Sequence, residues 1–388
     1  MDKLAPLSFN GPPGQEDMPY LLTPGPLTTS RGVKLAMLAD WGSRDVEFRD
    51  LVKSIREQLK VLSQCNHLYE CVIMQGSGTF AIEAALGSLA PREKSKTLVV
   101  ANGAYGDRAA AILERLKRPF LKIDKGDSAA PAPEDIEPLL QADPGISHVW
   151  VVHCETTSGI VNPIAAIGHV VKKHGRMFMV DAMSSFGALP LNMVEDGIDV
   201  MVSSSNKCIE GVPGFSYVLL RREVLMASQG QSHSVVLDLH AQWKALEESG
   251  QFRFTPPTHA LLAFHEALAE HAEEGGVAAR GARYQRNAET LRSGLARLGF
   301  TPLLQGPMAG PIIQTILAPQ DPAFQFNVFY EGLRARGFAI YPGKLTKRPS
   351  FRIGTIGKLD AQVMERVVDA IDAVLKEMNV ADLTPSAA

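Results

Sequence analysis

The sequence predicts an α/β fold in which helices cover both faces of a mainly parallel β-sheet. The first observation is that short apolar segments alternate with amphipathic segments between residues 46 and 220. Seven of the apolar segments have the length and composition of strands, namely residues 71–74, 97–101, 120–123, 148–152, 177–180, 200–202 and 215–220. The second observation is the helical pattern of the segments between most of them, which gives the β-α-β order typical of a parallel sheet.

The helices are predicted from apolar residues that recur at helical spacing. In residues 46–63, Val46, Leu51, Ile55 and Leu59 recur with charged residues between them. Similar patterns predict helices at 31–38, 79–90, 107–116, 133–141, 164–174 and 276–298, and a mostly helical region at 235–274.

The C-terminal part of the chain has a different pattern. Strands predicted at 311–317, 338–341 and 351–353 alternate with helices near 324–336 and 360–377, which is typical of a smaller α+β domain. The first residues are rich in proline, glycine and polar groups and predict a mobile extension. The predicted organisation is an N-terminal extension at 1–19, a large domain at 20–260 and a small domain at 261–388.

Composition limits the classes of function. The 39 basic and 42 acidic residues give a net charge of −3 without a long run of either sign, so we expect neither a nucleic-acid nor a membrane partner. Without a signal-peptide pattern or an apolar run of about 18 residues, the chain is expected to be cytoplasmic. The four cysteines lack C-x-x-C spacing and lie in or beside apolar segments, so we expect no disulfide and no metal site.

Two predicted strands end close to an ionisable residue. Residues 177–180 lead into Asp181, and residues 200–202 lead through a serine-rich turn to Lys207. Because neighbouring parallel strands open onto one crevice, a carboxylate and an amine are expected in a single site. Pyridoxal phosphate (PLP) uses this pair, since a lysine amine binds its aldehyde and a carboxylate keeps its pyridine nitrogen protonated. Taken singly, Asp181 is better explained as a helix cap and Lys207 as a solvated surface lysine, so the pair needs support from other motifs.

A glycine-containing segment follows the first predicted strand. Ser77, Gly78 and Thr79 come directly before or at the start of a predicted helix, so backbone amides and the positive end of the helix dipole can bind a phosphate. No Gly-Lys-Ser/Thr follows, so this is not a Walker loop. The same pattern also occurs in ordinary turns.

Three further residues fit a site for a planar ring and an anion. Tyr105, between glycines after residues 97–101, is predicted to lie flat on a pyridine ring. The segment after 148–152 supplies hydroxyl groups, including that of Thr157, to the same edge. Arg352 lies between apolar neighbours in a predicted strand, where an unpaired charge is unfavourable, so a carboxylate from a substrate is the expected partner. His153 is interpreted as structural.

In this order along the chain, the motifs resemble those of class V aminotransferases. They are Thr23-Pro24-Gly25-Pro26, Gly76-Ser77-Gly78-Thr79, Asn102-Gly103-Ala104-Tyr105-Gly106, Glu155-Thr156-Thr157, Asp181-Ala182-Met183-Ser184-Ser185-Phe186-Gly187, Asn206-Lys207-Cys208-Ile209 and Arg352-Ile353-Gly354. The resemblance extends from about residue 20 to the C-terminal helix. It implies a PLP-dependent transferase of fold type I and a homodimer whose subunits share the active sites.

The resemblance also implies a role for each motif residue. Lys207 would form the covalent bond to PLP and Asp181 would pair with the pyridine nitrogen, while Met183 and Tyr105 would pack on the two faces of the ring. The remaining cofactor contacts would come from Ser77, Gly78 and Thr79 at the phosphate, Thr255 of the partner subunit at the same phosphate, and Thr157 and Asn206 at the 3-oxygen. Arg352 would bind the carboxylate of pyruvate or alanine.

Within the family, the resemblance implies transfer of the amino group of 2-aminoethylphosphonate to pyruvate, in phosphonate catabolism. Tyr105 and Asn206 stand where the alanine:glyoxylate enzymes have tryptophan and glutamine, which favours this branch. The alternative is an alanine:glyoxylate or serine:pyruvate aminotransferase. A PLP-binding regulator would need a basic DNA-binding domain, for which the first 20 residues are too short and too acidic. Arg31, Arg44 and residues 28–30 remain candidates for the phosphonate contact.

Overall fold

The computed structural model describes residues 18–91, 93, 95–343 and 348–385. The helices in this range are α1 (Arg31–Leu35), α2 (Val46–Leu62), α3 (Gly78–Leu89), α4 (Ala104–Arg115), α5 (Pro133–Ala142), α6 (Ile164–Lys173), α7 (Arg222–Ala227), α8 (Leu239–Ser249), α9 (Thr258–Glu274), α10 (Gly276–Leu298), α11 (Phe326–Ala335) and α12 (Ala361–Glu377). The strands are β1 (Tyr20–Leu21), β2 (Tyr69–Gln75), β3 (Thr97–Ala101), β4 (Phe120–Asp124), β5 (His148–Val152), β6 (Cys154–Glu155), β7 (Ile160–Val161), β8 (Met177–Asp181), β9 (Val200–Ser204), β10 (Phe215–Arg221), β11 (Ile313–Leu317), β12 (Phe338–Ala339), β13 (Tyr341–Pro342) and β14 (Ser350–Gly354).

The large sheet has seven strands in the order β2-β10-β9-β8-β5-β3-β4, which confirms the predicted mainly parallel seven-stranded sheet. β4, β3, β5, β8 and β9 run parallel, and β10 is antiparallel to both of its neighbours. The reversal at β10 follows from its short connection to β9, which contains no crossover helix. The strand order changes direction between β3 and β5, and ligands of open α/β sheets bind in the crevice at such a point.

Apolar cores lie on both faces of this sheet, because successive strand residues point to opposite sides. On one face, Phe178 and Val180 pack with apolar residues of α2, α5, α6 and α9. On the other, Trp150 and Met179 pack with apolar residues of α3 and α4. The two helical layers hold the sheet in the middle of the domain and leave its strand ends accessible.

A third core belongs to the C-terminal part of the chain. β14 pairs antiparallel with β11 and β13, and apolar residues of α10, α11 and α12 pack on this small sheet. The predicted strand at 338–341 is two short strands, since β12 pairs with β1 whereas β13 pairs with β14. Leu22, next to β1, also lies in this core.

The predicted domain limits stay a prediction. α9 contributes to the core of the large sheet and the C-terminal half of α10 to the small one, so the chain passes between the cores along these helices. Of the predicted N-terminal extension, residues 1–17 lie outside the described residues. Among the helices that are described, none has both the length and the apolar character needed to cross a membrane.

Candidate active site

The candidate active site lies at the carboxyl ends of the central strands. β8 ends at Asp181, and the turn after β9 carries Lys207. The charge of each group shifts the pKa of the other, so the carboxylate and the amine lie within electrostatic reach. The structure therefore brings together the two residues that the strand ends indicate, although their chemical roles stay predictions.

Asp181 is 1% exposed, and its two oxygens differ in their hydrogen bonds. Its Oδ1 accepts a hydrogen bond of 2.9 Å from the backbone amide of Met183, whereas Oδ2 has none among the described residues. Burial raises the pKa of the carboxyl to about 7. His153, whose amide donates to the Asp181 carbonyl, is also buried, which lowers the pKa of its ring to about 4. Oδ2 is therefore available to accept a hydrogen bond from a cationic N–H group.

The Lys207 amine is held by a loop from the start of the chain. Its Nζ donates to the carbonyls of Pro24 at 2.7 Å and Gly25 at 3.0 Å. Gly25 has a φ of +106°, and a Cβ there would come within 2.7 Å of Lys207 Cδ, so this position requires glycine. Burial lowers the pKa of the amine to about 8, which brings a large neutral fraction within reach of ordinary pH.

The glycine segment lies directly against Asp181 and its neighbours. Gly78 begins α3, and a Cβ at Gly78 would collide with the thioether of Met183, so these two residues touch. Ser77 is the N-cap residue, and its side chain makes no capping bond. The free amides at the start of α3 can therefore receive a phosphate beside Met183, as the sequence predicts.

Arg108 belongs to the site, although the sequence did not single it out. Its guanidinium lies 4.8 Å from the centre of the Tyr105 ring and donates to Thr79 Oγ1 at 3.2 Å. Its positive charge lowers the pKa of both Asp181 and Lys207. The sequence predicts that this helix begins at residue 107, whereas α4 begins at Ala104. Because Tyr105 and Arg108 are three residues apart, the earlier start places both on one face of the helix.

Glu155 also belongs to the site, although the sequence analysis named it only as part of a motif. It is fully buried and accepts bonds from the amides of Tyr105 and Gly106 at 3.2 and 3.3 Å. It also accepts the Thr157 hydroxyl at 2.6 Å. Burial raises the pKa of this carboxyl. Glu155 thus fixes the loop after β5 against the start of α4.

Arg352 supplies an unpaired buried cation next to these loops. It is 6% exposed, and burial lowers its pKa. Its Nη1 donates to the Thr156 carbonyl at 2.9 Å and its Nη2 to the Pro342 carbonyl at 3.2 Å. Among the described residues, Nε has no partner and no carboxylate forms an ion pair with the guanidinium. An incoming anion can supply the missing charge.

Two more predicted residues flank the crevice. Asn206 precedes Lys207, and its Oδ1 accepts from Ser204 Oγ at 3.1 Å. Thr255 has an exposed side chain, and its carbonyl accepts from the Gln75 side chain, just before the glycine segment. A contact of Thr255 with the site of a second subunit stays a prediction.

The candidates for a phosphonate contact are not all free to make one. Ser30 Oγ donates to Glu270 and caps α1, and Thr28 Oγ1 accepts from the Leu21 amide at 2.8 Å, so both hydroxyls have structural partners. Arg31 is exposed at the start of α1. Arg44 lines a cavity of about 380 Å³ together with residues 251–256. In the part of the chain that the structure describes, no cluster of three or more metal-ligating side chains is found.

Comparison with known proteins agrees with this geometry. The family model for aminotransferase class-V matches residues 39–343. The chain is 51% identical over 370 residues to the 2-aminoethylphosphonate–pyruvate transaminase of Rhizobium meliloti (strain 1021), which covers 95% of this chain and 96% of that protein. It is 48% identical over 368 residues to the protein of the same name from Pseudomonas aeruginosa PAO1, covering 95% and 99%.

Solved structures give the same fold. The pyridoxamine-pyruvate aminotransferase of Mesorhizobium loti superposes with a TM-score of 0.86 at 24% identity, covering 95% of each chain. The ureidoglycine-glyoxylate aminotransferase of Bacillus subtilis superposes with a TM-score of 0.85 at 22% identity, covering 94% of this chain and 95% of that one. The family match, the near-complete alignment with close relatives and the shared fold together place this chain in the class V aminotransferases.

Proposed function

We propose that this aminotransferase moves the amino group of 2-aminoethylphosphonate to pyruvate and releases phosphonoacetaldehyde and L-alanine, as a step of phosphonate catabolism. The observation that carries the proposal is the identity of 47–51% with relatives bearing this activity in their names, over at least 94% of the chain. The crevice is consistent with it, since it combines a desolvated amine, a buried carboxylate and a buried arginine that forms no ion pair among the described residues.

We propose PLP as the cofactor. Asp181 Oδ2 would accept a bond from the pyridine nitrogen, and the amides of Ser77, Gly78 and Thr79 would bind the phosphate. The remaining contacts would come from Tyr105 and Met183 on the ring faces, Thr157 and Asn206 near the 3-oxygen, and Thr255 of the partner subunit at the phosphate. When bound, PLP supplies an aldehyde that takes up the amino group and a ring that stabilises negative charge on the neighbouring carbon.

The chain itself supplies the proton transfers. With a pKa near 8, Lys207 is partly neutral at ordinary pH and can accept a proton at Nζ from the amino-bearing carbon of the substrate. When the amino group is later transferred to pyruvate, the same Nζ donates a proton to the carbon that receives the amino group. In the cofactor-free chain, the carbonyls of Pro24 and Gly25 hold the amine at the crevice. Arg352 binds the carboxylate of pyruvate through its fork of N–H groups.

We also propose that the active enzyme is a homodimer. Exposed aromatic residues cluster around the glycine segment: Phe80 is 51% exposed, Phe254 41% and Trp41 38%. The Thr255 carbonyl accepts a bond from the Gln75 side chain, and His259 pairs with Asp40 at 3.1 Å, so these bonds join the three segments that carry the aromatic residues. An exposed apolar patch of this kind at the edge of a site fits a second copy of the chain.

Subunit mixing tests the shared site. Lys207→Ala and Thr255→Ala subunits are each expected to be impaired as pure dimers. If Thr255 acts across the interface, mixed dimers regain one intact site, and activity rises after mixing. Light scattering that finds only monomers would contradict the dimer.

A cytoplasmic location is likewise proposed, and fractionation of cells that express the protein tests it.

The substrate assignment is tested by half-reactions. The cofactor-loaded protein is mixed with 2-aminoethylphosphonate or L-alanine in the absence of an acceptor, and the loss of the absorbance band of the lysine-bound cofactor is followed. We expect both amines to remove the band, while glycine and L-serine leave it unchanged. Conversion by L-alanine and L-serine alone would refute the proposal and favour a serine:pyruvate enzyme. Absence of the band after addition of PLP would refute the cofactor.

A further inference from the structure

The turn that carries Lys207 is fixed from behind by a buried charged cluster. We call it the lysine-turn clamp and define it as Glu210, Glu274, Arg280, Arg283 and Tyr284. Its members come from the turn itself, from the end of α9 and from α10. With two carboxylates and two guanidinium groups, the clamp carries no net charge, so its ions compensate one another inside the protein.

Glu210 is the member closest to the reactive amine. Its backbone amide donates to the Lys207 carbonyl at 2.8 Å, which closes the turn. Its φ of +67° is uncommon for a residue with a side chain, so the surroundings must hold it there. Glu210 Oε1 accepts from Arg283 Nη2 at 2.7 Å and from the Tyr284 hydroxyl at 2.5 Å. These bonds hold the end of the turn against α10.

Arg280 holds the middle of the same turn. It is 1% exposed, and its Nη1 donates to the Cys208 carbonyl at 2.6 Å. Its Nε donates to Glu274 Oε2 at 2.7 Å. Burial alone would raise the pKa of Glu274, but the two arginines lower it to about 2, so this carboxylate stays ionised. The residue directly after Lys207 is thus bonded to a guanidinium that cannot turn away without losing a buried ion pair.

Arg283 extends the clamp to the segment that follows Arg352. Its Nη1 donates to the carbonyls of Gly357 at 2.6 Å and Leu359 at 3.0 Å, while its other nitrogens bind Glu210 and Glu274. The Gly357 amide donates to the Tyr284 hydroxyl at 3.3 Å. Gly357 lies three residues after the end of β14, the strand that carries Arg352.

One face of α10 therefore contacts both halves of the crevice. Arg280, Arg283, Tyr284 and Asn287 are spaced i, i+3, i+4 and i+7, which places them on the same side of the helix. Asn287 adds bonds of 3.1 Å to the carbonyls of Thr355 and Leu359. The face binds the Lys207 turn at one end and the segment after Arg352 at the other.

We propose that the lysine-turn clamp is a positioning device that sets the location of the Lys207 amine relative to the Arg352 guanidinium. Its residues do not touch the reacting atoms. Transamination requires both groups at once, because the amine moves the proton while the guanidinium holds the carboxylate. Misplacement of either group by about 1 Å can lower the rate by about two orders of magnitude. The kinetic part of this inference rests on the proposed function, whereas its structural part does not.

The test compares a substitution that loosens both ends of the clamp with one that loosens the lysine turn alone. Arg283→Lys keeps the charge but loses the Nη1 bonds to Gly357 and Leu359 and the Nη2 bond to Glu210, so the KM for pyruvate should rise about tenfold and kcat should fall as well. Glu210→Gln removes the charge at the lysine turn, so kcat should fall about tenfold with a smaller change in KM. Arg286→Lys, on the exposed side of α10, is the matched control and should change neither.

Hydrogen exchange of the cofactor-free protein provides a readout that is independent of activity. In Arg283→Lys, amides of residues 355–359 should exchange faster, and in Glu210→Gln those of residues 207–211, relative to the control. If either variant fails to fold, Tyr284→Phe removes one hydroxyl without changing charge, and faster exchange at Gly357 is then expected. Kinetic constants and exchange rates equal to those of the Arg286→Lys control would overturn the proposal.

The same experiment distinguishes this inference from the substrate assignment. The kinetic arm is run with L-alanine and isotopically labelled pyruvate, where transfer of the label into alanine reports turnover, as well as with 2-aminoethylphosphonate and pyruvate. A wild-type protein that converts L-alanine but not the phosphonate refutes the proposed function and leaves the clamp testable. A wild-type protein that converts both, combined with unchanged variants, refutes the clamp alone.

Discussion

The active-site crevice and the lysine-turn clamp lie on two sides of the same turn and differ in how their buried polar groups are paired. In the crevice, Asp181 Oδ2 and Arg352 Nε have no partner among the described residues. In the clamp, Glu210 and Glu274 are both bonded to arginines, and each of these arginines also binds backbone carbonyls. Asp181 and Arg352 in the crevice are buried, and so are Glu210 and Arg280 in the clamp, so burial alone does not distinguish the two regions.

This difference separates a ligand site from a scaffold. A buried polar group without a partner costs about 1–3 kcal/mol, and such a cost is recovered when a bound molecule supplies the partner. A fully paired cluster needs nothing from outside and fixes the groups around it instead. Under the proposed function, Asp181 Oδ2 and the Arg352 guanidinium would bind the cofactor and the substrate carboxylate, and the paired groups of the clamp would hold the site in shape.

The largest expected effect is the loss of the amine. Lys207→Ala should lower kcat for 2-aminoethylphosphonate and pyruvate by a factor of at least about 10³, because the proton acceptor and the cofactor bond are removed together. Thermal unfolding of the cofactor-free protein should be unchanged or shifted upward, since a desolvated amine is lost. A Lys207→Arg variant with the wild-type rate would refute the assignment.

Breaking the paired cluster should act on stability. Arg280→Met leaves Glu210 and Glu274 with one arginine instead of two, so the free energy of unfolding should fall by about 3 kcal/mol in urea denaturation of the cofactor-free protein. Arg286→Met, on the exposed side of the same helix, is the control and should change it by less than about 0.5 kcal/mol. Equal effects of the two substitutions would show that the buried cluster stabilises the fold no more than a surface arginine does.

The unpaired carboxylate should make stability depend on pH. The pKa of Asp181 is raised from 3.8 to about 7, so the folded state binds a proton that the unfolded state has released. This contribution is complete below the unfolded pKa and is lost as the pH rises through about 7. Between about pH 5 and pH 7, the cofactor-free wild type should lose about 2 kcal/mol of stability relative to Asp181→Asn, which does not titrate. Parallel curves for the two proteins in urea denaturation would contradict the burial of an unpaired carboxyl.

The smallest effect is expected at the glycine segment. Gly78→Ala adds a methyl group that collides with Met183, and the thioether must move into the space predicted for the ring. The affinity for PLP, measured by absorbance titration, should fall about tenfold, or about 1.4 kcal/mol. Gly87→Ala in the same helix, where a Cβ would meet the His233 ring at 3.2 Å, should leave the affinity unchanged. An unaltered affinity in Gly78→Ala would exclude this segment from the cofactor site.

The large sheet could be predicted because its strands are continuous apolar segments. All seven were placed within a few residues, and so was each predicted helix between them. The antiparallel direction of β10 could not be predicted in the same way, because strand composition does not reveal which way a short connection turns. The helix α4 begins three residues earlier than predicted, because glycines occupy its N-cap position and its first turn, and the tertiary contact with Glu155 fixes this turn.

The site was predictable where a motif ends a strand and unpredictable where it depends on distant partners. Asp181 and Lys207 follow apolar strands that end at one edge of the sheet, and their convergence follows from topology. Arg280 is fully buried in a helix otherwise rich in charged residues, and its partners Glu210 and Glu274 come from separate elements. Nothing in the local pattern distinguishes this arginine from a solvated one, so the clamp became apparent only from the folded chain.

We expect the unpaired groups of the crevice to belong to a cofactor site built on Lys207. Borohydride reduction of the PLP-loaded protein, followed by proteolysis and mass spectrometry of the peptides, tests this expectation. The added mass should be found on Lys207 and be absent from Lys207→Ala. Attachment to a different lysine, or no attachment at all, would contradict it.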